Sequence, residues 1–322
     1  MSDKIVILVN GEVLAGGYES TIRDQKVNAD LLAEGLLPIL SSKLKIAIMH
    51  GNKPQVGYVL FRSEVASHIL HPIPLDVCGA DTQGATGYML SQSILNVLTM
   101  NRVQRQVMSL ITQTVVNSDS KYFKELNKQI GPWLDRERAK QRHQIYGWHV
   151  VEEPGYGFRR VVSSPPPIEI VEIEGIKQLV ESGMIVITAG GGGIPVLLNQ
   201  QGILEGVEAV VDTDQVACML AHQLEAKFLL MIIENDHKFI SSGVGTENFR
   251  QLAPEELEDL IAKSTFYSDM VSRKLHSARE YLQSGGEQVV ITTLENLSST
   301  LNKKSGLWIG VETPVMDIFK YS

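Results

Sequence analysis

Short runs of apolar, largely β-branched residues recur along the chain, separated by longer segments with the periodicity of helices. The runs are Lys4–Val9, Lys45–His50, Val107–Val116, Met184–Ala189, Lys227–Ile233 and Gln288–Leu294. Polar residues hardly interrupt them, which predicts strands that are covered on both faces. We therefore expect these runs to form the buried strands of one sheet.

The segments between the runs place apolar residues three and four positions apart, as in amphipathic helices. They are Asp30–Leu40, Thr86–Leu98, Val216–Leu224, Pro254–Lys263 and Lys274–Gln283. We expect Lys274 to open the last helix and Gly285 to follow its end. Alternating strands and helices predict an α/β fold with an open, mainly parallel sheet and right-handed crossovers. Ligands of such sheets bind at the carboxyl ends of the strands.

One region departs from this alternation. From about Asn117 to Pro167 the chain is polar and rich in lysine and arginine, and it ends in two serines and three prolines. Proline clusters mark turns and chain re-entry rather than continuous helix. The region is therefore expected to leave the sheet as a small protruding subdomain or lid.

Composition and charge exclude several classes of function. Of the 322 residues, 43% are hydrophobic, which is ordinary for a globular protein, and the net charge of −8 opposes binding to nucleic acid or an anionic membrane. The two cysteines lie in apolar surroundings, which favours buried packing residues in a reducing compartment. No stretch predicts a signal peptide or membrane span, so we expect a soluble, cytoplasmic protein.

Three short motifs could contact an anion. Gly51-Asn52 follows the second run and can present backbone N–H groups, although a plain strand-to-helix turn has the same pattern. The four glycines from Gly190 to Gly193 suit a positive-φ turn or close approach of a ligand, and their context excludes a Walker or dinucleotide loop. Asp212 and Asp214 precede a helix, where they can orient lysines, contact a metal-bound nucleotide or simply cap the helix.

Six segments, taken in order, resemble one family. They are HGNKPQVG, PLDVCGADTQGATGYML, ITQTVVNSDSKYFKELNKQIGPW, GYGFRRVVSSPPP, AGGGGIPV and GVEAVVDTD. In this order they are similar to the carbamate kinase branch of the amino-acid kinase family. The resemblance runs from the first strand to about Gly306, which is nearly the whole chain, and six motifs in the same order make it specific.

The resemblance implies a three-layer αβα sandwich with a small subdomain at about 117–167. An N-terminal lobe, 1–204, would take carbamate or carbamoyl phosphate, and a C-terminal lobe, 205–322, would take ATP or ADP. Mg²⁺ would be held by the nucleotide rather than directly by the protein. The implied reaction is reversible phosphoryl transfer between ATP and carbamate, as in arginine catabolism. A homodimer is implied, and a carbamoyltransferase is the candidate partner enzyme.

The resemblance also assigns residues. Lys128, Asp214 and Lys274 match catalytic positions, at which the aspartate organises the lysines. Positions that match substrate- and phosphate-binding ones are Gly11, Gly51, Asn52, Gly190, Gly191, Gly192 and Gly193. Positions that match nucleotide-binding ones are Asp212, Asp236 and Lys274.

Several positions depart from the family pattern. Asn10 and Glu12 flank Gly11, so a side chain and a carboxylate face the expected phosphate, and a like-charge contact costs a few kcal/mol. Thr213 replaces a family lysine, and Asp269–Arg273 lacks the family glycine and proline. Lys53 replaces a family glycine, and we hypothesise that it supplies the cation lost at Thr213.

These departures leave three functions open. The first is an active carbamate kinase, for which Lys53 joins the catalytic set. The second is a catalytically impaired homologue that binds a ligand or scaffolds a partner. The third is a kinase for another small acid, because loops near Asn52 also differ.

Overall fold

The computed structural model describes residues 3–16, 20–235, 249–262 and 269–311. Its strands are β1 (Lys4–Val9), β2 (Lys45–His50), β3 (Val107–Ser109), β4 (Gln113–Val116), β5 (Leu126–Leu134), β6 (Val150–Glu153), β7 (Gly157–Ser163), β8 (Pro167–Ile170), β9 (Ile185–Ile187), β10 (Ile194–Leu198), β11 (Leu204–Gly206), β12 (Phe228–Ile233), β13 (Arg250–Leu252), β14 (Gln288–Thr293) and β15 (Leu307–Gly310).

The helices alternate with these strands along most of the chain. They are α1 (Gly11–Ala15), α2 (Ile22–Leu40), α3 (Lys53–Ala66), α4 (Leu75–Met100), α5 (Ser120–Lys124), α6 (Arg136–Tyr146), α7 (Ile173–Glu181), α8 (Thr213–Gln223), α9 (Pro254–Ala262), α10 (Asp269–Gln283) and α11 (Leu297–Leu301). In the part of the chain that the structure describes, no helix combines the length and apolar character needed to cross a membrane.

An eight-stranded sheet forms the centre of the molecule. Its strand order is β13-β15-β14-β12-β1-β2-β9-β3, and each neighbouring pair is parallel except β14 and β15. The predicted mainly parallel sheet is therefore confirmed. Because the strands run in the same direction, the loops after β1, β2 and β12 emerge at one edge.

Side chains of the central strands alternate between two apolar cores, one on each face of the sheet. In β1, Val6 and Leu8 join one core, which includes Leu220 of α8 and Leu275 of α10. Ile5 and Ile7 join the other core, in which α2, α4 and α11 cover the sheet. Helices on both faces give the expected three-layer αβα sandwich, and burial on both faces explains the uninterrupted apolar runs.

The polar region from 117 to 167 forms the predicted subdomain. Its three-stranded antiparallel sheet has the order β5-β7-β6, and α6 lies beside it. The chain then re-enters the body through β8, which begins at the last of the three prolines, as predicted. There β8 joins a four-stranded sheet, β11-β10-β4-β8, that the sequence pattern did not predict.

The prediction of one strand over Val107–Val116 is wrong. The run is divided between β3 in the large sheet and β4 in the small one. The break falls at Thr112, whose backbone N–H donates to Gln83 Oε1 at 2.8 Å instead of to a neighbouring strand. A side-chain amide from α4 therefore ends the first strand pairing.

Four helices begin earlier than the periodicity predicted, and one of them is α8, which starts at Thr213 instead of Val216. For α2 the cause is a capping box, in which Thr21 and Asp24 each bond the other's backbone N–H, so the helix starts at Ile22. Helix α4 starts at Leu75, next to Pro74. Helix α10 starts at Asp269, so Lys274 lies inside the helix and does not open it.

Candidate functional site

A cleft of about 420 Å³ lies at the carboxyl ends of the central strands. Residues that follow β1, β2 and β12 line it, together with the start of α8, part of α10 and residues 128–130 of the subdomain strand β5. Parallel strands deliver their following loops to one edge, so residues far apart in sequence meet here. This is where a ligand was expected.

The loops after β1 and β2 touch through two glycines. A Cβ atom added to Gly51 would lie 2.6 Å from the backbone nitrogen of Gly11, and one added to Gly11 would lie 3.0 Å from the carbonyl carbon of Gly51. The first distance is shorter than real Cβ contacts, and the second would require the neighbouring loop to shift. Glycine at both positions therefore lets the ends of two neighbouring strands close the floor of the cleft.

The glycine run forms a tight turn with left-handed backbone. Gly191, Gly192 and Gly193 have φ values of 68°, 90° and 86°. A Cβ atom on Gly191 would lie 2.2 Å from the side-chain amide of Asn52, so this amide occupies the space that glycine leaves. Asn52 Nδ2 in turn donates to Thr82 Oγ1 at 2.8 Å. The positive-φ interpretation is confirmed, and the run brings Asn52 into the cleft wall.

Asp212 connects a helix terminus to two cations. Its Oδ1 atom accepts from the backbone N–H groups of Asp214 and Gln215 at 3.1 and 3.4 Å, so it caps α8. Its Oδ2 atom lies 3.3 Å from Lys128 Nζ and 4.0 Å from Arg273 Nε. The capping interpretation is confirmed, and the same carboxylate also holds Lys128 at the cleft.

Asp214 pairs with the most deeply placed cation of the cleft. Lys274 Nζ donates to Asp214 Oδ1 at 2.8 Å, and the Lys274 side chain is 1% exposed. The expectation that Asp214 organises the lysines holds geometrically for Lys274, whereas Lys128 bonds to Asp212. The reason is that Asp212 sits at the helix cap, on the side that faces the subdomain.

A local irregularity aims Lys128 at the cleft. β5 pairs with β7, but the register shifts between Leu126, which faces Ser163, and Lys128, which faces Val162. Such bulges rotate the following side chain relative to a regular strand. Lys128 thereby reaches from the subdomain to Asp212, 84 residues further along the chain.

Lys53 lies at the start of α3 among several charges of the cleft. Burial against the cleft walls lowers the pKa of its ammonium group, although its side chain still contacts solvent; the Glu12 carboxylate opposes this shift. Arg159, Arg273 and Lys128 lower the pKa further by repulsion. Lys53 is therefore a cation in a cationic neighbourhood, with Glu12 as its partial counter-charge.

Of the other altered positions, Asn10, Thr213 and Met270 line the cleft. Asn10 precedes α1, and its backbone N–H donates to Ile232 O at 2.9 Å, which leaves its side chain to line the cleft. Thr213 is the first residue of α8 and lines the same wall. Glu234 also lines the cleft and follows β12, the strand beside β1. Asp236 lies outside the described residues.

Two buried polar side chains behind the glycine turn were not assigned a role from the sequence. Gln83 Nε2 donates to the carbonyls of Thr112 and Gly190, each at 3.0 Å. Burial lowers the pKa of His50 to about 4. Its ring packs against Gly190, where an added Cβ atom would lie 2.6 Å from the ring. Both lie in motifs that carried the family resemblance, but only three-dimensional contact shows that they hold the turn in place.

A second cavity, of about 410 Å³, lies between the subdomain and the loop before α4. Its charged lining consists of Arg160, which ion-pairs with Glu208 and lies 4.4 Å from the centre of the Trp148 ring. The charges of Arg160 and Glu208 thus neutralise each other. The 420 Å³ cleft, with its several cations, is therefore the better candidate for an anionic ligand.

The donor set of the cleft suits phosphate groups better than a bare metal ion. Among the described residues, no group of three or more histidine, cysteine, aspartate or glutamate side chains is arranged to hold a metal. Asp212 and Asp214 already face Lys128 and Lys274. Lysine and arginine donors instead match phosphate oxygens.

Comparisons with known proteins agree on one family. The Amino acid kinase family profile matches residues 7–293. The carbamate kinase of Pyrococcus horikoshii is 35% identical over 311 residues, covering 95% of this chain and 98% of that protein. The carbamate kinase of Staphylococcus haemolyticus is 34% identical, covering 95% and 99%. The solved carbamate kinase of Giardia lamblia bound to AMP-PNP has a TM-score of 0.86 at 29% identity, covering 97% and 99%.

Proposed function

Because the chain belongs to the amino acid kinase family and, within it, to the carbamate kinases, we propose that it transfers a phosphoryl group reversibly between ATP and carbamate. The 420 Å³ cleft is the proposed active site. In the degradative direction the protein would form ATP from ADP and carbamoyl phosphate.

The observation that carries this proposal is the convergence of cations from separate elements on one cleft. Lys128 comes from the subdomain, Lys274 from α10 and Lys53 from α3, and all three line the same space. Asp212 and Asp214 fix the first two by ion pairs. Phosphoryl transfer needs little covalent chemistry from the protein, but it needs fixed positive charge around the moving group.

The proposed roles follow from position. Lys128 and Lys274, both held at the start of α8, neutralise oxygens of the phosphoryl group, and Asp214 keeps the Lys274 ammonium group oriented. Asn52 and the backbone around Gly11, Gly51 and the glycine turn shape the acceptor side. Carbamate is itself the nucleophile, so no covalent enzyme intermediate is required.

The nucleotide is proposed to bind on the side of α8, α10 and the loop after β12. Giardia carbamate kinase was solved with AMP-PNP, which is a nucleotide of this kind. Mg²⁺, carried on the phosphates, would add positive charge and orient them. The division into a carbamate lobe, 1–204, and a nucleotide lobe, 205–322, remains part of this proposal.

The altered first loop is compatible with turnover in this arrangement. Glu12 would repel a phosphate if it stood alone, but its carboxylate lies close enough to Lys53 to oppose the lowering of the lysine pKa. The electrostatic effects of two such opposite charges partly cancel at longer distances, so Glu12 repels a phosphate less than it would alone. We therefore favour an active kinase over a homologue that only binds ligands.

Turnover tests the proposal. ATP formed from ADP and carbamoyl phosphate with Mg²⁺ is measured for the wild type, Lys128→Ala and Lys140→Ala, whose lysine is an exposed residue of α6. We expect activity in the wild type and in Lys140→Ala, and a loss of about 10²–10³-fold in Lys128→Ala. A folded wild type that forms no ATP would refute the proposal and favour a binding or scaffolding role.

We also propose that the protein is a homodimer. Apolar side chains on the outer faces of two adjacent helices are exposed: Val27 and Leu31 on α2, and Tyr88 and Leu95 on α4. Such neighbouring apolar side chains mark interfaces. A carbamoyltransferase, which would supply carbamoyl phosphate, remains the candidate partner enzyme.

A further inference from the structure

Arg273 stands in the cleft beside the cations assigned above. It immediately precedes Lys274 on α10, and its side chain is 47% exposed whereas that of Lys274 is 1% exposed. It also lines the cleft. Consecutive helix residues point about 100° apart, so α10 presents one cation to the partly buried Asp214 and the next to the open space.

Two cations share one acidic oxygen at this point. Asp212 Oδ2 lies 3.3 Å from Lys128 Nζ and 4.0 Å from Arg273 Nε. The other oxygen of Asp212 accepts from the backbone at the start of α8. The single negative charge of this carboxylate therefore faces two positive charges, those of Lys128 and Arg273. An excess of positive charge therefore faces the cleft between β5 and α10.

The contact between Arg273 and Asp212 is too long to be a strong hydrogen bond. N–H···O hydrogen bonds have donor–acceptor distances of about 2.7–3.2 Å. Ion pairs of such exposed side chains stabilise proteins little. The guanidinium group is thus held near the cleft without being fixed by Asp212, and its planar fork of donors stays available to a phosphate.

A second observation points the same way. Repulsion from Arg273 and Lys128 contributes to lowering the pKa of Lys53, which lies across the cleft on α3. The side chains of Lys53, Lys128 and Arg273 therefore face the same part of the cleft. A dianionic phosphoryl group is the kind of ligand that would relieve their mutual repulsion.

We propose that Arg273 is a phosphate-contacting residue that, with Lys128 and Lys53, binds the phosphoryl group during transfer. The inference rests on the proposed function and deepens it. Its chemical basis is bidentate pairing of a guanidinium group with phosphate oxygens. Arg273 and Lys53 together supply the positive charge that is absent at Thr213.

The test compares Arg273→Met with Arg279→Met, a matched change on the same helix. Arg279 lies 3.8 Å from Glu258 and does not line the cleft. The dissociation constants of ATP and AMP are measured by calorimetry, together with kcat and KM for ATP formation and the midpoint of thermal unfolding. AMP serves as the ligand without a transferable phosphoryl group.

For Arg273→Met we expect ATP to bind at least about ten-fold more weakly and kcat/KM to fall by about 10²–10³-fold. AMP binding and thermal unfolding should stay unchanged, and Arg273→Lys should keep part of the activity. Arg279→Met should resemble the wild type in every measurement.

Two results would overturn the inference and leave the proposed function standing. If the wild type binds ATP and forms product while Arg273→Met does so equally well, Arg273 does not contact the phosphoryl group. If ATP and AMP binding weaken equally, Arg273 acts only by supporting the cleft. A wild type that binds no ATP would instead refute the proposed function, and the inference with it.

Discussion

Individual charged residues of the cleft differ in how deeply they are buried, and this difference separates their roles. Lys274 is inaccessible to solvent and is bonded to Asp214 at 2.8 Å. Lys128 is 31% exposed and lies 3.3 Å from Asp212. A buried pair costs much more to break than an exposed one, because the remaining charge loses both its partner and its water.

Substituting the two lysines should therefore have different effects on stability. Lys274→Met leaves Asp214 unpaired and should lower the free energy of unfolding by about 3–5 kcal/mol. Lys128→Met should lower it by less than about 1 kcal/mol. Both should reduce ATP formation at least about 100-fold. Urea denaturation and the turnover assay measure the two effects, and equal destabilisation by both substitutions would contradict the assignment.

The pH dependence of the reaction should report the protonation state of Lys53. Its pKa lies below the ordinary 10.5, chiefly because of burial, so its charge is lost at a lower pH than that of an exposed lysine. Since deprotonation removes a phosphate-facing cation, kcat/KM should fall as the pH rises through this lowered pKa. Lys53→Arg keeps the charge and should move this decline to higher pH.

The control for this experiment is Lys140→Arg, which changes a lysine outside the cleft. Its profile should match that of the wild type. An identical alkaline decline in the wild type and in Lys53→Arg would show that Lys53 does not contact the reacting phosphate.

At the scale of secondary structure, an ion pair anchors the subdomain to the body. Arg142 of α6 and Glu64 of α3 approach to 2.6 Å, with side chains that are 9% and 5% exposed. Arg142 also donates to Ser67 Oγ at 2.8 Å. Because α3 begins with Lys53 and the subdomain carries Lys128, this contact sets the distance between two walls of the cleft.

Breaking this pair should loosen the subdomain. Glu64→Gln leaves Arg142 buried without a counter-charge and should destabilise the protein by about 3–5 kcal/mol, whereas the double variant Glu64→Leu with Arg142→Leu should recover much of this loss. Chemical denaturation gives the energies, and hydrogen exchange in β5 and β7 locates the opening. A double variant no better than Glu64→Gln would contradict this account.

Sequence periodicity predicted the central elements because their cause is local. β1 and β2 are uninterrupted apolar runs, and their ends match the predicted ones. The break at Thr112 was missed because its hydrogen-bond partner, Gln83, is 29 residues away. The start of α10 was missed because periodicity identified only its apolar face.

The candidate site was predicted mostly through family resemblance. Residue type and spacing do not show that Lys128 meets Asp212, because the contact depends on a register shift in β5 and on how the subdomain folds over the cleft. The segment that contains Arg273 had been interpreted only as a loss of glycine and proline. Its position in the cleft shows that it also gains a cation.

For the molecule as a whole, the proposed dimer face can be tested directly. Leu31→Glu with Leu95→Glu places charge on the exposed apolar faces of α2 and α4. Sedimentation should show a dimer for the wild type and a monomer for the double variant. A monomeric wild type, or an unchanged dimer in the variant, would exclude this interface.

The whole fold brings the ends of parallel strands, a glycine turn and a cationic subdomain strand to one place. This arrangement accounts for phosphoryl transfer despite the changes at Asn10, Glu12 and Thr213. The loops near Asn52 also differ from the family pattern, and a different acceptor would be selected there, so the identity of the acceptor is the central claim.

The most direct measurement is the initial rate of ATP formation from ADP and Mg²⁺ with carbamoyl phosphate, compared with acetyl phosphate at equal concentration. The account predicts rapid ATP formation with carbamoyl phosphate and a rate at least about 100-fold lower with acetyl phosphate, because acetyl phosphate lacks the amino group that the proposed acceptor side would hydrogen-bond. Equal rates with both donors, or no ATP with carbamoyl phosphate, would contradict it.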